Sequence, residues 1–196
     1  MKKYRSLIII ALLAVLGVGY YIYLSNRPIN TDPVDIKNND SLVANYIARD
    51  ITVTYPETPK GVVELYSNIM KCYYNEQYTD NELEALVSQA RLLWDNELLE
   101  RNPIDEYMVN LKEEIRDYKN CDRVIKDFSV EDSSKVKYTT KSDGAQYASI
   151  HATYWVRENN LVTTKSYEEY VLRKDENGSW KILYWQLDKA SDTENE

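Results

Sequence analysis

His151 is the only histidine in the chain, and imidazole is the side chain whose ordinary titration falls nearest neutral pH. It sits in an alternating run over residues 145–157. That run puts Ala148, Ile150, Ala152, Tyr154 and Val156 on one face and Tyr147, Ser149, His151, Thr153 and Trp155 on the other. On the wall of a pocket His151 would be an acid–base group, but such a role needs a partner that orients the ring, and the sequence identifies none. The plainer alternative is a half-exposed strand histidine. Glu168 and Glu169 point to opposite faces of a regular strand, so they do not form one metal or acid–base pair. Asp175-Glu-Asn-Gly178 has turn chemistry without the spaced oxygen ligands of a calcium loop. The sequence has no phosphate-binding glycine loop, nucleophile elbow or H-E-x-x-H pair. No catalytic set, metal site or cofactor is expected.

Cys72 and Cys121 are the two cysteines. Their spacing fits neither a zinc site nor a C-x-x-C redox motif. Outside the membrane they could form a bridge worth about 4 kcal/mol in the chain-entropy model, or they remain two free thiols. Eighteen tyrosines stand beside a single phenylalanine. Tyr66, Tyr73, Tyr107 and Tyr118 fall on helical stripes and read as core or its rim. Tyr147, Tyr154, Tyr167, Tyr170 and Tyr184 fall on strands with Trp155, Trp180 and Trp185. One reading makes the strand aromatics the lining of a concavity for an apolar or peptide ligand, with Tyr147, His151, Trp155, Tyr167, Trp180 and Tyr184 as candidate lining residues. The other makes them half-buried strand residues, for which tyrosine serves in place of phenylalanine.

The elements that position these residues follow from periodicity. Val62, Leu65, Tyr66, Ile69 and Tyr73 mark one helix face, after Pro59 and Gly61. Thr79-Asp-Asn-Glu82 is a capping box, and Leu83, Leu86, Val87, Ala90 and Trp94 form the face of the helix that it opens. Asn102-Pro103 closes that helix and starts a third, with Ile104, Tyr107, Met108, Leu111, Ile115 and Tyr118 on one side. After Cys121 the period changes to that of strands, over 124–130, 135–141, 145–157, 161–174 and 180–187. Turns fall at Asp143-Gly144, Asn159-Asn160 and Glu176-Asn-Gly178. A short strand is also predicted over 51–55. Helices followed by a meandering sheet predict an α+β fold, three helices packed on a curved antiparallel sheet.

Three helices and a sheet ending in the hairpin of Gly178, Trp180, Lys181, Ile182 and Trp185 resemble the nuclear-transport-factor-2-like, or cystatin-like cone, superfamily over residues 59–187. The chain departs from it in showing no strand between the second and third helices. Fold alone does not fix function. The whole chain also resembles a family of uncharacterised single-pass membrane proteins of Gram-positive bacteria. That likeness rests on Lys71-Cys-Tyr-Tyr-Asn-Glu76, Tyr78-Thr-Asp80, Gln89-Ala-Arg-Leu-Leu93, Asn102-Pro103, Tyr167-Glu-Glu-Tyr170 and Leu172-Arg-Lys-Asp175. It implies membrane attachment and an extracytoplasmic domain, and it supplies no activity.

The N-terminal sequence gives its own reason for attachment. Lys2, Lys3 and Arg5 precede LIIIALLAVLGVGYYIYL, an uncharged run over residues 7–24. As a helix it spans roughly 27 Å, close to a bilayer's hydrocarbon thickness. Tyr20, Tyr21 and Tyr23 gather at its far end, and the basic flank predicts a cytoplasmic N-terminus with the rest outside. No small-residue cleavage site follows, which favours a retained anchor over a cleaved signal. The expected organisation is a tip and anchor over 1–24, a polar tether over 25–47, an extracytoplasmic domain over 48–188 and an acidic tail over 189–196. Across 196 residues, 24 Lys+Arg stand against 32 Asp+Glu, a net charge of -8 that argues against nucleic acid as a partner. The expected function is a membrane-anchored binding or scaffold module. Its expected partners are an envelope protein, a peptide, a small apolar ligand or a second copy through the sheet. The alternatives are an isomerase or hydrolase using the cone pocket, or a structural part of a cell-envelope or conjugative secretion assembly.

Overall fold

A computed structural model of the chain describes residues 41–159 and 162–188. The predicted anchor over 1–24, the first part of the tether and the tail over 189–196 lie outside the described residues. Among those described, no helix is long and apolar enough to cross a membrane.

Five helices precede the strands: α1 (Leu42–Ala48), α2 (Pro59–Asn75), α3 (Asp80–Arg91), α4 (Asn96–Arg101) and α5 (Ile104–Asn120). Each of the first four opens on a side-chain cap. Ser41, Thr58, Thr79 and Asp95 accept a backbone N–H of the first turn. At Thr79 the predicted box is complete, because Glu82 Oε2 also takes the Thr79 N–H at 2.7 Å. The strands are β1 (Val124–Val130), β2 (Lys137–Thr140), β3 (Gln146–Glu158), β4 (Val162–Lys174) and β5 (Trp180–Leu187), with a 3₁₀ turn at Ser133–Lys135. All pairings are antiparallel, in the order β1-β3-β4-β5. The edge of β3 is shared: β1 pairs with its residues 152–157 and β2 with its residues 146–149. Gly144 and Gly178 take the positive φ angles, +86° and +81°, that their hairpins require.

One sheet face is packed and the other is open. Ala148, Ile150, Ala152 and Tyr154 of β3 are buried, as are Tyr170 and Leu172 of β4 and Ile182 of β5. They meet α2, which has nine buried residues out of seventeen, including Tyr66, Ile69 and Tyr73. The equally long α5 buries only Leu111 and Ile115. It therefore covers the core without filling the space beneath it.

The structure corrects the sequence at four places. The domain begins before residue 48, because the end of the predicted tether is α1, whose Val43 is buried. Seven residues are too few to show a helical period. The strand predicted over 51–55 is a turn: Asp50 Oδ1 accepts Thr52 N–H at 3.0 Å and the Thr52 hydroxyl at 2.6 Å. A short polar side chain has outcompeted the sheet ladder. The second predicted helix ends at Arg91 and is followed by the separate α4, so the described helices number five and not three. Between α3 and α4, where no strand is predicted, Trp94 makes a one-residue parallel bridge to Ile182. Ile182 N–H donates to Leu93 O, and Asp95 N–H donates to Ile182 O, both at 2.8 Å.

Candidate functional site

The six predicted lining residues do not surround one cavity. Strand register puts Tyr147, His151 and Trp155 opposite Arg173, Glu169 and Lys165, and Thr153 opposite Tyr167. Tyr184 lies opposite Val171. Five of the six thus share the sheet face opposite the one that packs on α2. Trp180 is buried, but at the far end of β5. There it meets Tyr138 at 5.7 Å between ring centroids, and its carbonyl accepts the Tyr55 hydroxyl at 2.7 Å.

On the open face His151 does have partners. Its Nδ1 is 3.1 Å from Glu131 Oε2 and its Nε2 is 3.4 Å from Asp188 Oδ2. Glu169, its neighbour across the strands, is held by the Ser149 hydroxyl and by Gln186 Nε2 at 3.0 Å. The Ser149 hydrogen bond holds the Glu169 carboxyl below its ordinary value, with smaller help from Gln186 and His151. This is a polar surface network on a half-exposed strand. Cys72 is buried on α2, Cys121 caps α5, and both are free thiols. Burial, with Glu76 adding to it, pushes the Cys72 thiol up to about 11. Among the described residues no group of His, Cys, Asp and Glu is arranged to hold a metal ion.

A cleft with chemistry in it lies on the opposite face, between α2, α5 and strands β3 to β5. Its volume is about 210 Å³. Its wall includes Tyr66, Tyr73 and Tyr74 of α2, Tyr107, Glu114 and Tyr118 of α5, Tyr154 and Val156 of β3, Ser166 and Glu168 of β4, and Trp185 of β5. Tyr66 and Tyr73 are buried at its floor, and Glu114 is exposed at its mouth. The rings are braced by one another. Tyr74 and Tyr118 lie 4.3 Å apart between centroids, Tyr66 and Trp185 5.5 Å, and Tyr107 stands edge-on to Trp94 at 5.0 Å.

A hydrogen-bonded chain runs to the carboxylate in this cleft. The Tyr170 hydroxyl donates to Glu168 Oε2 at 3.0 Å. Tyr154 OH is 2.7 Å from Tyr170 OH, and Ser67 Oγ is 2.6 Å from Tyr154 OH. Burial raises the Glu168 carboxyl above its ordinary value. Tyr170 pulls it back and Glu114 adds to the rise. Burial first, then Glu114, pushes the Tyr107 hydroxyl up to about 12 and the Tyr74 hydroxyl well above its ordinary value.

Parts of this cleft are visible in sequence. The alternation separates Glu168 from Glu169 and places Tyr154 with the apolar face. It does not reveal that the apolar face, roofed loosely by α5, is the one with a cavity. Tyr66 and Tyr73 belong to the core and Tyr107 and Tyr118 to its rim, as the helical stripes predict, and all four also line the cleft.

A second, larger depression of about 550 Å³ lies beside Trp94 and Arg173. Its cations are engaged. Arg173 Nε donates to Asp95 Oδ2 at 2.9 Å, Arg91 Nη1 to Asn102 O at 2.8 Å and Lys181 Nζ to Leu92 O at 2.7 Å. The Arg173 and Lys181 contacts brace the α3–α4 region against β4 and β5, and the Arg91 contact ties α3 to the end of α4.

A comparison with curated proteins returns no match. The family model described as "Domain of unknown function (DUF6715)" matches residues 1–185, and so takes in the N-terminal apolar run together with all of the described fold up to Trp185. The chain therefore belongs to the DUF6715 family.

Proposed function

We propose that the chain is a membrane-anchored binding module. In this reading residues 7–24 form a single span and the α+β domain stands on the outer side of the cell membrane, like the Gram-positive single-pass proteins that the sequence resembles. The domain works as nuclear-transport-factor-2-like cones do, by holding a small ligand between helices and sheet. One observation carries it: the cleft under α5 has a buried aromatic floor, an ionisable carboxyl inside and an exposed rim. The open sheet face with Tyr147, Trp155, Tyr167 and Tyr184 is the surface left for a scaffold partner or a second copy.

The test is a thermal-shift and ligand-observed NMR screen of the full chain in detergent, against small cations, neutral compounds and anions. Pocket binders should be lost in Ser166→Trp, which fills the cleft from β4. A screen with no binder of any charge class, or with binders indifferent to Ser166→Trp, sinks the reading.

An acid–base enzyme is the second reading, favoured by a carboxyl raised by burial at the end of a hydroxyl chain. The base would be Glu168 and not His151, which lies on the other sheet face. That reading requires Glu168→Gln to stop turnover of a bound compound.

A further inference from the structure

Proton order in the cleft decides what it can hold. A tyrosine or serine hydroxyl has one proton to give. Tyr170 gives its proton to Glu168. Tyr154 must then donate to Tyr170, and Ser67 must donate to Tyr154. All three protons point along the chain to the carboxylate, so none of them is left for a ligand. Each bond in the line polarises the next towards Glu168.

Charge in the cleft is one-sided. Glu168 lies within it and Glu114 stands at its mouth, and no lysine or arginine is among the described lining residues. Two guanidinium groups lie against the ring walls, Arg123 over Tyr118 at 5.0 Å and Arg91 over Tyr107 at 5.8 Å. Both are engaged: Arg123 donates to Glu158 Oε2 at 3.0 and 2.7 Å, and Arg91 Nη1 donates to Asn102 O at 2.8 Å. An anionic ligand would meet two carboxylates, inside the cleft and at its mouth, with no described lysine or arginine lining it. A neutral apolar ligand would trap Glu168 away from water without a counter-ion. A cation answers both the charge and the ring faces, whose electron-rich surfaces attract it. A metal ion is a poor fit, because aromatic walls do not supply the several oxygens that a hard cation takes.

Resting on the reading of this cleft as a ligand site, we propose that it binds a small organic ammonium ion, with Glu168 as counter-ion and Tyr107, Tyr118 and Trp185 as ring walls. The 210 Å³ volume lies below the roughly 300–1,000 Å³ of drug-sized pockets, which selects a compact head over a long polyamine or a peptide.

Calorimetry on the full chain tests this with a panel of small ammonium ions and one matched pair. The pair is choline and its neutral carbon isostere, in which a tert-butyl group replaces the trimethylammonium. Choline should bind at least roughly tenfold more tightly than the isostere. Glu168→Gln keeps the shape and can still accept from Tyr170. It should erase that preference, with choline falling to the affinity of the isostere, while the variant still melts cooperatively. Tyr118→Leu, at the rim, should weaken choline more than the isostere. Equal affinity for the pair, or choline binding indifferent to Glu168→Gln, overturns the ammonium assignment but leaves the cleft a ligand site. Pocket binders that are all neutral or anionic, with no ammonium ion among them, overturn it too. Failure of the binding-module reading looks different, since no compound then binds in a way that Ser166→Trp abolishes.

Discussion

A carboxyl on the inward face of a strand has either to find compensation or to keep its proton. Glu168 finds part of that compensation in the Tyr170 hydroxyl, yet burial, with Glu114 adding to it, still raises its pKa. The consequence for stability has a definite sign. A carboxyl raised in the folded state holds its proton more firmly there than in the unfolded chain. Its contribution is fully present below its ordinary value of 4.5 and is lost as pH rises through the folded value. Glu168→Gln stays neutral throughout and should lack this loss. Urea midpoints of parent and variant, measured from pH 4 to pH 8, should therefore diverge in the variant's favour as pH rises. Parallel curves would show that Glu168 is as well solvated folded as unfolded. The neighbouring Tyr74, Tyr107 and Tyr154 do not confuse the result, because burial moves their titration further above that range. At this scale the sequence resolves which face each residue takes, since alternation is a property of the strand itself. It does not resolve which face is roofed, since that depends on how tightly a distant helix packs.

Among the elements, α4 shows what holds the helical layer to the sheet. Asp95 is buried, caps α4 by accepting Glu97 N–H at 2.9 Å, and receives Arg173 of β4 through both carboxylate oxygens. Removing the arginine alone leaves a buried carboxylate unpaired, which costs about 3–5 kcal/mol. Arg173→Met should lower the urea midpoint accordingly. The double variant Asp95→Asn with Arg173→Met should recover much of the loss, because asparagine keeps the cap without the charge. If the double variant is no more stable than the single one, the ion pair is not what joins α4 to β4. This brace also explains what periodicity can and cannot reveal. The long helices α2 and α5 and the strand β3 show their period because enough residues repeat it. The helices α1 and α4, of seven and six residues, are set by a cap and by one or two contacts, such as Val43 in the core or Leu98 beneath α4. The turn after Asp50 likewise depends on one carboxylate and not on a pattern. The bridge from Trp94 to Ile182 joins residues far apart in the chain, and no local signal announces it.

For the whole molecule, the charge distribution is what bears on location. Setting aside Lys2, Lys3 and Arg5 leaves 21 basic residues against 32 acidic ones after residue 24, a net -11. In the proposed anchored arrangement, Lys2, Lys3 and Arg5 before an uncharged run of bilayer length would keep the tip in the cytoplasm. The acidic remainder would then be repelled by anionic lipid. Three results are expected of the native protein. It should keep its N-terminal segment, read by the intact mass. It should stay with the membrane through high salt and alkaline carbonate and come off only with detergent. Protease added to intact cells with the outer wall removed should digest the domain and leave a short protected fragment containing residues 7–24. Deleting residues 1–24 should release a protein that still melts cooperatively, since Val43 and the rest of the core lie beyond the deletion. Release by salt alone, or a domain reached by protease only after the cells are broken, would rule out the outward-facing anchored arrangement. It would leave the cleft and its ligand chemistry as they are, because Glu168, Tyr107 and Trp185 owe their positions to helices and strands that begin after Ser41.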